Sequence, residues 1–275
     1  MDSNDLKKWV VEHFQKSETL HSYINPESGK EFQIFETPLI GIGNAYDSLF
    51  QEYKKEGIIG PWFLAPGEWL PEAKSVISIF FPFTETVRVN NRNNSEEPAP
   101  VWTFGRIEGQ DFINRMACDL CNYLKSLDYN AVVPAVDKRF LKLRGNMTRK
   151  EFPTITENTF GSNWSERHAA FVCGLGTFGL SKGLITKKGM AGRFASVITT
   201  CSLEADVRPY KDIYEYCSRC GACIHRCPVK AISKNGKDDI LCRNQIDKFK
   251  EKFYPRFGCG KCQTKIPCEH QIPVR

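Results

Sequence analysis

The 275-residue chain has no long apolar stretch. Its longest, Val76 to Phe83, is interrupted by Ser78 and Pro82 and falls far short of the roughly 20 residues that cross a bilayer as a helix. An export signal is missing too: Asp2, Asp5, Lys7 and Lys8 stand where a signal peptide needs its apolar segment. Leu6, Trp9, Val10, His13 and Phe14 instead recur at helical spacing, the pattern of a surface helix. There is no internal repeat, and biased composition is confined to the Asn-rich stretch from Asn90 to Pro100. These absences exclude a membrane protein and a secreted disulfide scaffold. The expectation is a cytoplasmic protein.

What is present is an ordinary globular composition, 41% apolar and 25% charged, with one anomaly of 12 cysteines. The length suggests two domains. Eight of the cysteines fall between Cys217 and Cys268, and near Asp206–Pro209 the composition shifts. We therefore expect an α/β (α+β) first domain over residues 1–205, with N-terminal helices in 1–56, and a cysteine-dense second domain over 206–275. From Ala205 to Arg275 there are 15 Lys and Arg against 8 Asp and Glu, while the rest of the chain is nearly neutral. A basic tail admits a nucleic-acid partner. It equally suits a domain that must balance negative metal clusters.

Cys217, Cys220, Cys223, Cys227 and Pro228 form the run C-x2-C-x2-C-x3-C-P. Three closely spaced thiolates on a tight loop grip three irons of one cubane, and the fourth, turned away by the proline, serves a second cluster. A second set exists in Cys242, Cys259, Cys262 and Cys268. The expected ligands are Cys217, Cys220, Cys223 and Cys268 for one 4Fe–4S cluster, and Cys227, Cys242, Cys259 and Cys262 for the other. Structural zinc is the competing reading of C-x2-C pairs. Cys118, Cys121, Cys173 and Cys201 lie outside the set and read as free core thiols.

The first domain reads as a helix over 1–25, a turn at Asn25–Gly29 and a second helix over 44–56. Strands are expected at Val76–Phe81, Ala131–Val136 and Phe194–Thr199, a loop over Asn90–Pro100 and a helix over Asp111–Leu127. Gly174, Gly176 and Gly179 fit the dinucleotide fingerprint G-x-G-x-x-G. However, residues 166–173 before them look helical, and the acidic residue required about 20 positions on is missing. The NAD reading is rejected, although the glycines still imply close backbone approach.

Several segments together resemble a known family, the cobalamin-dependent epoxyqueuosine reductases, with reductive dehalogenases as distant relatives. They are Glu166-Arg167 with Gly174-Leu175-Gly176 and Gly179, then Leu70-Pro71-Glu72-Ala73-Lys74-Ser75-Val76-Ile77, and Gly105 to Asp111-Phe112. The eight cysteines in the order four, one, three complete the set. The resemblance runs from about residue 65 to the C-terminus. It implies a nitroreductase-like core beside a bacterial ferredoxin-like double-cluster domain, with cobalamin as second cofactor. By the same resemblance Gly174, Gly176, Gly179, Ser181, Lys182 and Gly183 wrap the corrinoid, and Asp111 delivers a proton; on its residues alone, Asp111 equally supports its helix. Electrons would come from reduced ferredoxin or flavodoxin.

This sequence departs from the family at Ile113, where the family has His, and at Thr177, where it has an aromatic residue. It departs again in the 28 residues of 138–165 and in the Cys262-x5-Cys268 spacing. The chain also stops at Arg275, without the C-terminal helical extension such reductases use against tRNA. The substrate, a small molecule or tRNA, is left open. So are a non-catalytic electron carrier and a reductive activator of a corrinoid protein.

Overall fold

The computed structural model describes residues 1–17, 21–144, 152 and 160–274. Helix α1 (Ser3–Lys16) starts where the Asp2 carboxylate accepts the Asn4 and Asp5 amides, each at 2.8 Å. Strands β1 (Ser22–Ile24) and β2 (Glu31–Gln33) form a hairpin. Then come β3 (Leu39–Asn44), the short helices α2 (Leu49–Glu52) and α3 (Pro66–Trp69), and β4 (Ser75–Pro82). Helix α4 (Glu85–Asn93) precedes α5 (Pro100–Ser126), which opens on proline, a residue suited to the first helical turn. After β5 (Ala131–Val132) and the hairpin β6 (Lys142–Arg144) and β7 (Phe160–Ser162), α6 spans Glu166–Val172. A hairpin of β8 (Gly176–Phe178) and β9 (Leu184–Thr186) leads to β10 (Gly192–Thr199). The cysteine-dense segment contributes α7 (Ala222–Arg226), β11 (Ile232–Ser233), β12 (Gly236–Lys237) and α8 (Asp239–Phe253).

The core is a four-stranded antiparallel sheet in the order β3-β4-β10-β5. Every residue of β4 is buried, because the sheet is covered on both faces and successive side chains point to opposite sides. Ile77, Ile79 and Phe81 meet Leu6, Val10 and Phe14 of α1 and Phe112, Met116 and Leu120 of α5. Val76 and Phe80 face the other way, onto Ala169, Val172, Ala170 and Phe171 of α6. In β10, Ala195 and Val197 join the α5 side, whereas Ile198 and Phe194 join the α6 side. This is the α/β core that the sequence leads one to expect. Among the described residues no helix is long and apolar enough to cross a membrane.

Several local expectations change. The N-terminal helix ends at Lys16, and residues 22–33 form a hairpin whose turn is shaped by Asn25 Oδ1 accepting the Glu27 and Ser28 amides at 2.9 and 3.1 Å. The helix expected over 44–56 shortens to α2. Pro134 converts the end of the 131–136 strand into a 3₁₀ turn. The Asn-rich stretch is helical as far as Asn93, because α4 carries Val87, Arg88 and Asn91 to a buried face.

That buried face of α4, with α5, is where the cysteine-dense part docks. Asn91 Nδ2 donates to Cys259 O at 3.3 Å and to Thr264 Oγ1 at 3.2 Å, and the fully buried Lys261 Nζ donates to Asn91 O at 2.9 Å. Arg92 Nε forks onto Glu269 Oε1 and Oε2 at 3.0 and 2.9 Å, and Glu269 is itself buried. Gly260 (φ +69°) lies flat on Trp102 of α5; a Cβ there would sit 2.0 Å from the indole. Only glycine lets this loop seat against the ring.

Candidate functional site

The eight cysteines of the C-terminal segment stand round two separate cavities. Cys217, Cys220, Cys223 and Cys268 line a small one, closed on its inner side by Gly179, Leu180, Ser181, Ile185 and Met190. The left-handed backbone at Arg219 and Gly221 makes the tight loop that turns these thiols inward. Cys268 comes from far along the chain and is held there because its carbonyl accepts the Met190 amide at 3.0 Å. Cys220 is exposed and the other three are half-buried.

Cys227, Cys242, Cys259 and Cys262 lie in the wall of a much larger cavity of about 430 Å³. Cys242 is delivered by α8, which is started by Asp238 accepting the Ile240 and Leu241 amides at 2.9 Å. The Ala231 amide donates to Cys227 Sγ at 3.2 Å. Cys223 of the first group is close enough to feel the charge of Cys262 in the second, so the two groups are neighbours.

The donor sets fit iron–sulfur clusters. Burial pushes the Cys268 and Cys259 thiols up to about 12 and Cys223 up to about 11, and neighbouring thiolates add to each shift. Four thiolates so placed hold their charge only against a multiply charged metal core. Among the described residues no three His, Cys, Asp or Glu side chains are arranged to hold a single metal ion.

The larger cavity lies between the sheet domain and the cysteine segment. Phe83, Trp102 and Phe194 supply flat apolar walls, and Arg106, Gln110 and Asn114 come from successive turns of α5. Arg193 of β10 donates to Gln110 Oε1 through Nε at 3.0 Å. Burial, then repulsion from Arg106 and Arg167, lowers Arg193 to about 9. Glu166, the first residue of α6, contributes to the same wall, and burial pushes its carboxyl up to about 7. Both of its oxygens are buried beside Trp164 and Ser196, which hold the rise back in part, and Trp164 Nε1 donates to Ser196 Oγ at 2.9 Å. A cavity of this size, walled by aromatic faces and rimmed by donors, suits a large flat ligand with amide edges. A corrinoid is such a ligand.

The residues expected to bind a corrinoid divide. Gly183 lines the large cavity; Gly179 and Ser181 line the small one. Gly174 follows the end of α6 at φ +78°, and Gly176 sits in β8, where a Cβ would come within 2.0 Å of Ile185 O in β9. That contact serves the hairpin. Lys182 Nζ pairs with Asp239, and its carbonyl accepts Arg167 Nη1 at 3.0 Å. The glycine segment runs from helix into strand, the reverse of the dinucleotide fingerprint.

Asp111 needs correction as the enclosed acid. It is exposed on α5 and outside the cavity lining, because the turn that buries Phe112 and Ile113 in the core points it outward. Asp137 is held ionised at about 2 by its fork onto Arg139, at 2.9 and 2.8 Å. Glu166 is the acidic residue that borders the cavity, with both carboxyl oxygens buried. Arg106 and Gln110 went unread because a polar residue on a helix normally signals a solvated face, and Arg193 because a charged residue at the start of a strand reads as its exposed end. Cys121, Cys173 and Cys201 are buried, and Cys118 is half-buried.

Residues 210–233 match the 4Fe–4S binding domain. The chain is 30% identical over 166 residues to an epoxyqueuosine reductase of Leadbetterella byssophila, covering 54% of this chain and 51% of the relative. It thus spans about half the length of the curated relative it matches. A solved epoxyqueuosine reductase with an epoxyqueuosine-modified tRNA-Tyr stem loop superposes with a TM-score of 0.55 at 18% identity, covering 99% of this chain and 68% of that one. A reductive dehalogenase, whose structure suggests a mechanism for B12-dependent dehalogenation, superposes at 0.50 and 16% identity, covering 86% and 30%. The chain resembles epoxyqueuosine reductase and shares this fold.

Proposed function

We propose that this chain is an iron–sulfur reductase with two 4Fe–4S clusters and a corrinoid as its second cofactor. One cluster is held by Cys217, Cys220, Cys223 and Cys268, the other by Cys227, Cys242, Cys259 and Cys262. The observation that carries the reading is that the second quartet forms part of the wall of a ligand-sized cavity. An electron carrier needs no such cavity. Residues 1–205 act as the ligand-binding domain and 206–275 as the electron-transfer domain, joined where Asp206 Oδ2 accepts the Ile42 amide at 2.8 Å.

In this reading, exposed Cys220 marks the entry point for a reduced ferredoxin or flavodoxin, and Cys223, near enough to feel the charge of Cys262, leads inward. Such donors belong to the cytoplasm, where we place the protein. Gly183, Gln110, Asn114 and Arg193 hold the corrinoid, with Phe83, Trp102 and Phe194 against its apolar surface. When bound and reduced, a corrinoid supplies a strongly nucleophilic metal centre. Reductive cleavage of a carbon–halogen bond consumes two electrons and one proton and releases halide, and removal of an epoxide oxygen consumes two electrons and two protons and releases water. Glu166 borders the cavity, and burial raises its carboxyl to about 7, which keeps a proton available near neutral pH. The relative solved with a tRNA stem loop makes tRNA epoxyqueuosine a substrate to test beside small molecules.

The test is the ultraviolet–visible spectrum of anaerobically purified protein before and after adding cobalamin. A cluster spectrum and a change in the cobalamin bands are expected, with that change lost in Gly183→Leu and the cluster spectrum kept. Cobalamin that neither shifts nor co-elutes with the wild type would leave the electron-carrier reading in its place.

A further inference from the structure

Asn91 and Arg92, consecutive residues of α4 in the Asn-rich stretch, both reach out of the sheet domain. Asn91 is fully buried, and all four hydrogen-bonding positions of its side chain are taken by residues outside α4. Nδ2 donates to Cys259 O at 3.3 Å and to Thr264 Oγ1 at 3.2 Å, while Oδ1 accepts the Ala99 amide and Lys261 Nζ, each at 3.1 Å. The Ala99 amide and the Lys261 ammonium can only donate and the Cys259 carbonyl can only accept, so these partners fix which way the amide faces. Arg92 forks onto the buried Glu269 carboxylate, whose Oε2 also accepts the Lys265 amide at 2.7 Å. That carboxylate closes the turn from Lys265 to Glu269, which carries Cys268.

The targets distinguish these two residues from ordinary contacts between domains. Asn91 grips the backbone of a cysteine of the inner quartet, and Arg92 grips the residue next to a cysteine of the outer one. Asn91 also holds the buried Lys261 ammonium, through its side chain and through its own carbonyl at 2.9 Å. A buried ammonium needs negative charge nearby, and Lys261 and Cys259 are close enough to feel each other's charge. The charges and hydrogen bonds around a cluster's sulfurs set its potential, and groups one step behind the ligands orient them.

We propose that α4 is a clamp on both clusters. Asn91 positions the Cys259–Thr264 loop and the Lys261 ammonium beside the inner cluster, and Arg92, through Glu269, positions Cys268 at the outer one. This deepens the reductase reading and rests on it for the presence of the clusters. Both are positioning residues, and each tunes one cluster. Were α4 only glue between the domains, changing either residue would disturb both clusters alike.

The experiment is a redox titration of the anaerobically purified full chain followed by paramagnetic resonance, with the two signals assigned by their loss in Cys262→Ser and Cys220→Ser. Asn91→Asp places negative charge against Lys261 and should lower the inner potential alone, or remove the inner cluster alone. Arg92→Gln removes a cation beside the Cys268 turn and should lower the outer potential alone. Asn90→Asp, the same charge change at an exposed neighbour, should move neither. Thr264→Val deletes only the hydroxyl that Asn91 meets; it should shift the inner signal by less, and it decides the matter if Asn91→Asp loses all its iron. Hydrogen exchange on the same samples reads the clamp without reference to the clusters. Asn91→Asp should speed exchange about tenfold over residues 259–264 and not over 265–269, as loss of a buried hydrogen bond does, and Arg92→Gln should do the reverse. Equal shifts of both potentials, no shift in either variant, an inner shift in Asn90→Asp as large as in Asn91→Asp, or loosening of both turns together would each overturn the proposal. An iron-free wild type would fail the two-cluster reading, and the exchange pattern would then judge the clamp by itself.

Discussion

The two cysteine quartets have the same chemistry and different surroundings. Cys217, Cys220, Cys223 and Cys268 close on a small space near the surface, with Cys220 exposed. Cys227, Cys242, Cys259 and Cys262 face a large cavity, with Lys237 and Lys261 beside them and Glu166 in the same wall. In the proposed reading each quartet holds a cluster, and the difference in surroundings gives the two clusters different tasks. An exposed cluster suits exchange with a partner, whereas one in a cavity wall suits delivery to a bound ligand.

Breaking each quartet in turn tests that division most severely. Cys262→Ser should remove the inner cluster and abolish reduction of any cavity substrate, while dithionite still reduces the outer cluster. Cys220→Ser should halve the iron and stop turnover with a protein donor. A small, freely diffusing reductant should restore at least part of that turnover. Paramagnetic resonance on each reduced variant shows which cluster remains. Identical behaviour of the two variants with both reductants would erase the distinction.

A smaller effect separates the two candidate acids. Glu166→Gln should lower turnover by a factor on the order of 10²–10⁴, the usual contribution of a positioned acid, and leave both clusters in place. Asp111→Asn, at an exposed site on α5, should stay close to wild type. Because the raised carboxyl pKa keeps the proton on Glu166 below about 7, turnover should fall as pH rises through that value. The decline should be absent in Glu166→Gln. A dithionite-driven assay on an activated organohalide or epoxide, run from pH 6 to 8.5, reads all of this.

The smallest effect concerns the inner cluster's surroundings. Lys261 is fully buried, and its ammonium lies next to Cys259 and Cys262 in the chain. Lys261→Met removes a positive charge that favours the reduced cluster. It should lower that cluster's potential by roughly 40 mV, equivalent to about 1 kcal/mol for a one-electron couple. The outer cluster should not move in the same redox titration.

What the sequence made legible follows from how local each signal is. The cysteine run is a contiguous pattern, so its residues could be named from the sequence, and Cys217, Cys220, Cys223 and Cys268 line one cavity while Cys227, Cys242, Cys259 and Cys262 line the other. Val76–Phe81 reads as a strand because a sheet covered on both faces leaves no polar positions in β4. The cavity was poorly legible because its wall is assembled from distant segments. Gln110 and Arg193 are 83 positions apart and meet only because α5 crosses β10. Asp111 was chosen over Glu166 on resemblance, and a shift of one residue along a helix turns a side chain by about 100°. Gly176 illustrates the same limit: its requirement for close approach is real, but the approaching backbone belongs to β9.

The central claim is that the chain carries two iron–sulfur clusters, one of them in the wall of the ligand cavity. The most direct test is to measure iron, acid-labile sulfide and zinc on anaerobically purified wild type and Cys262→Ser. The account predicts about eight irons and eight sulfides in the wild type and about four of each in the variant, with zinc at trace level. Stoichiometric zinc without sulfide, or a wild type that never exceeds four irons, would contradict it.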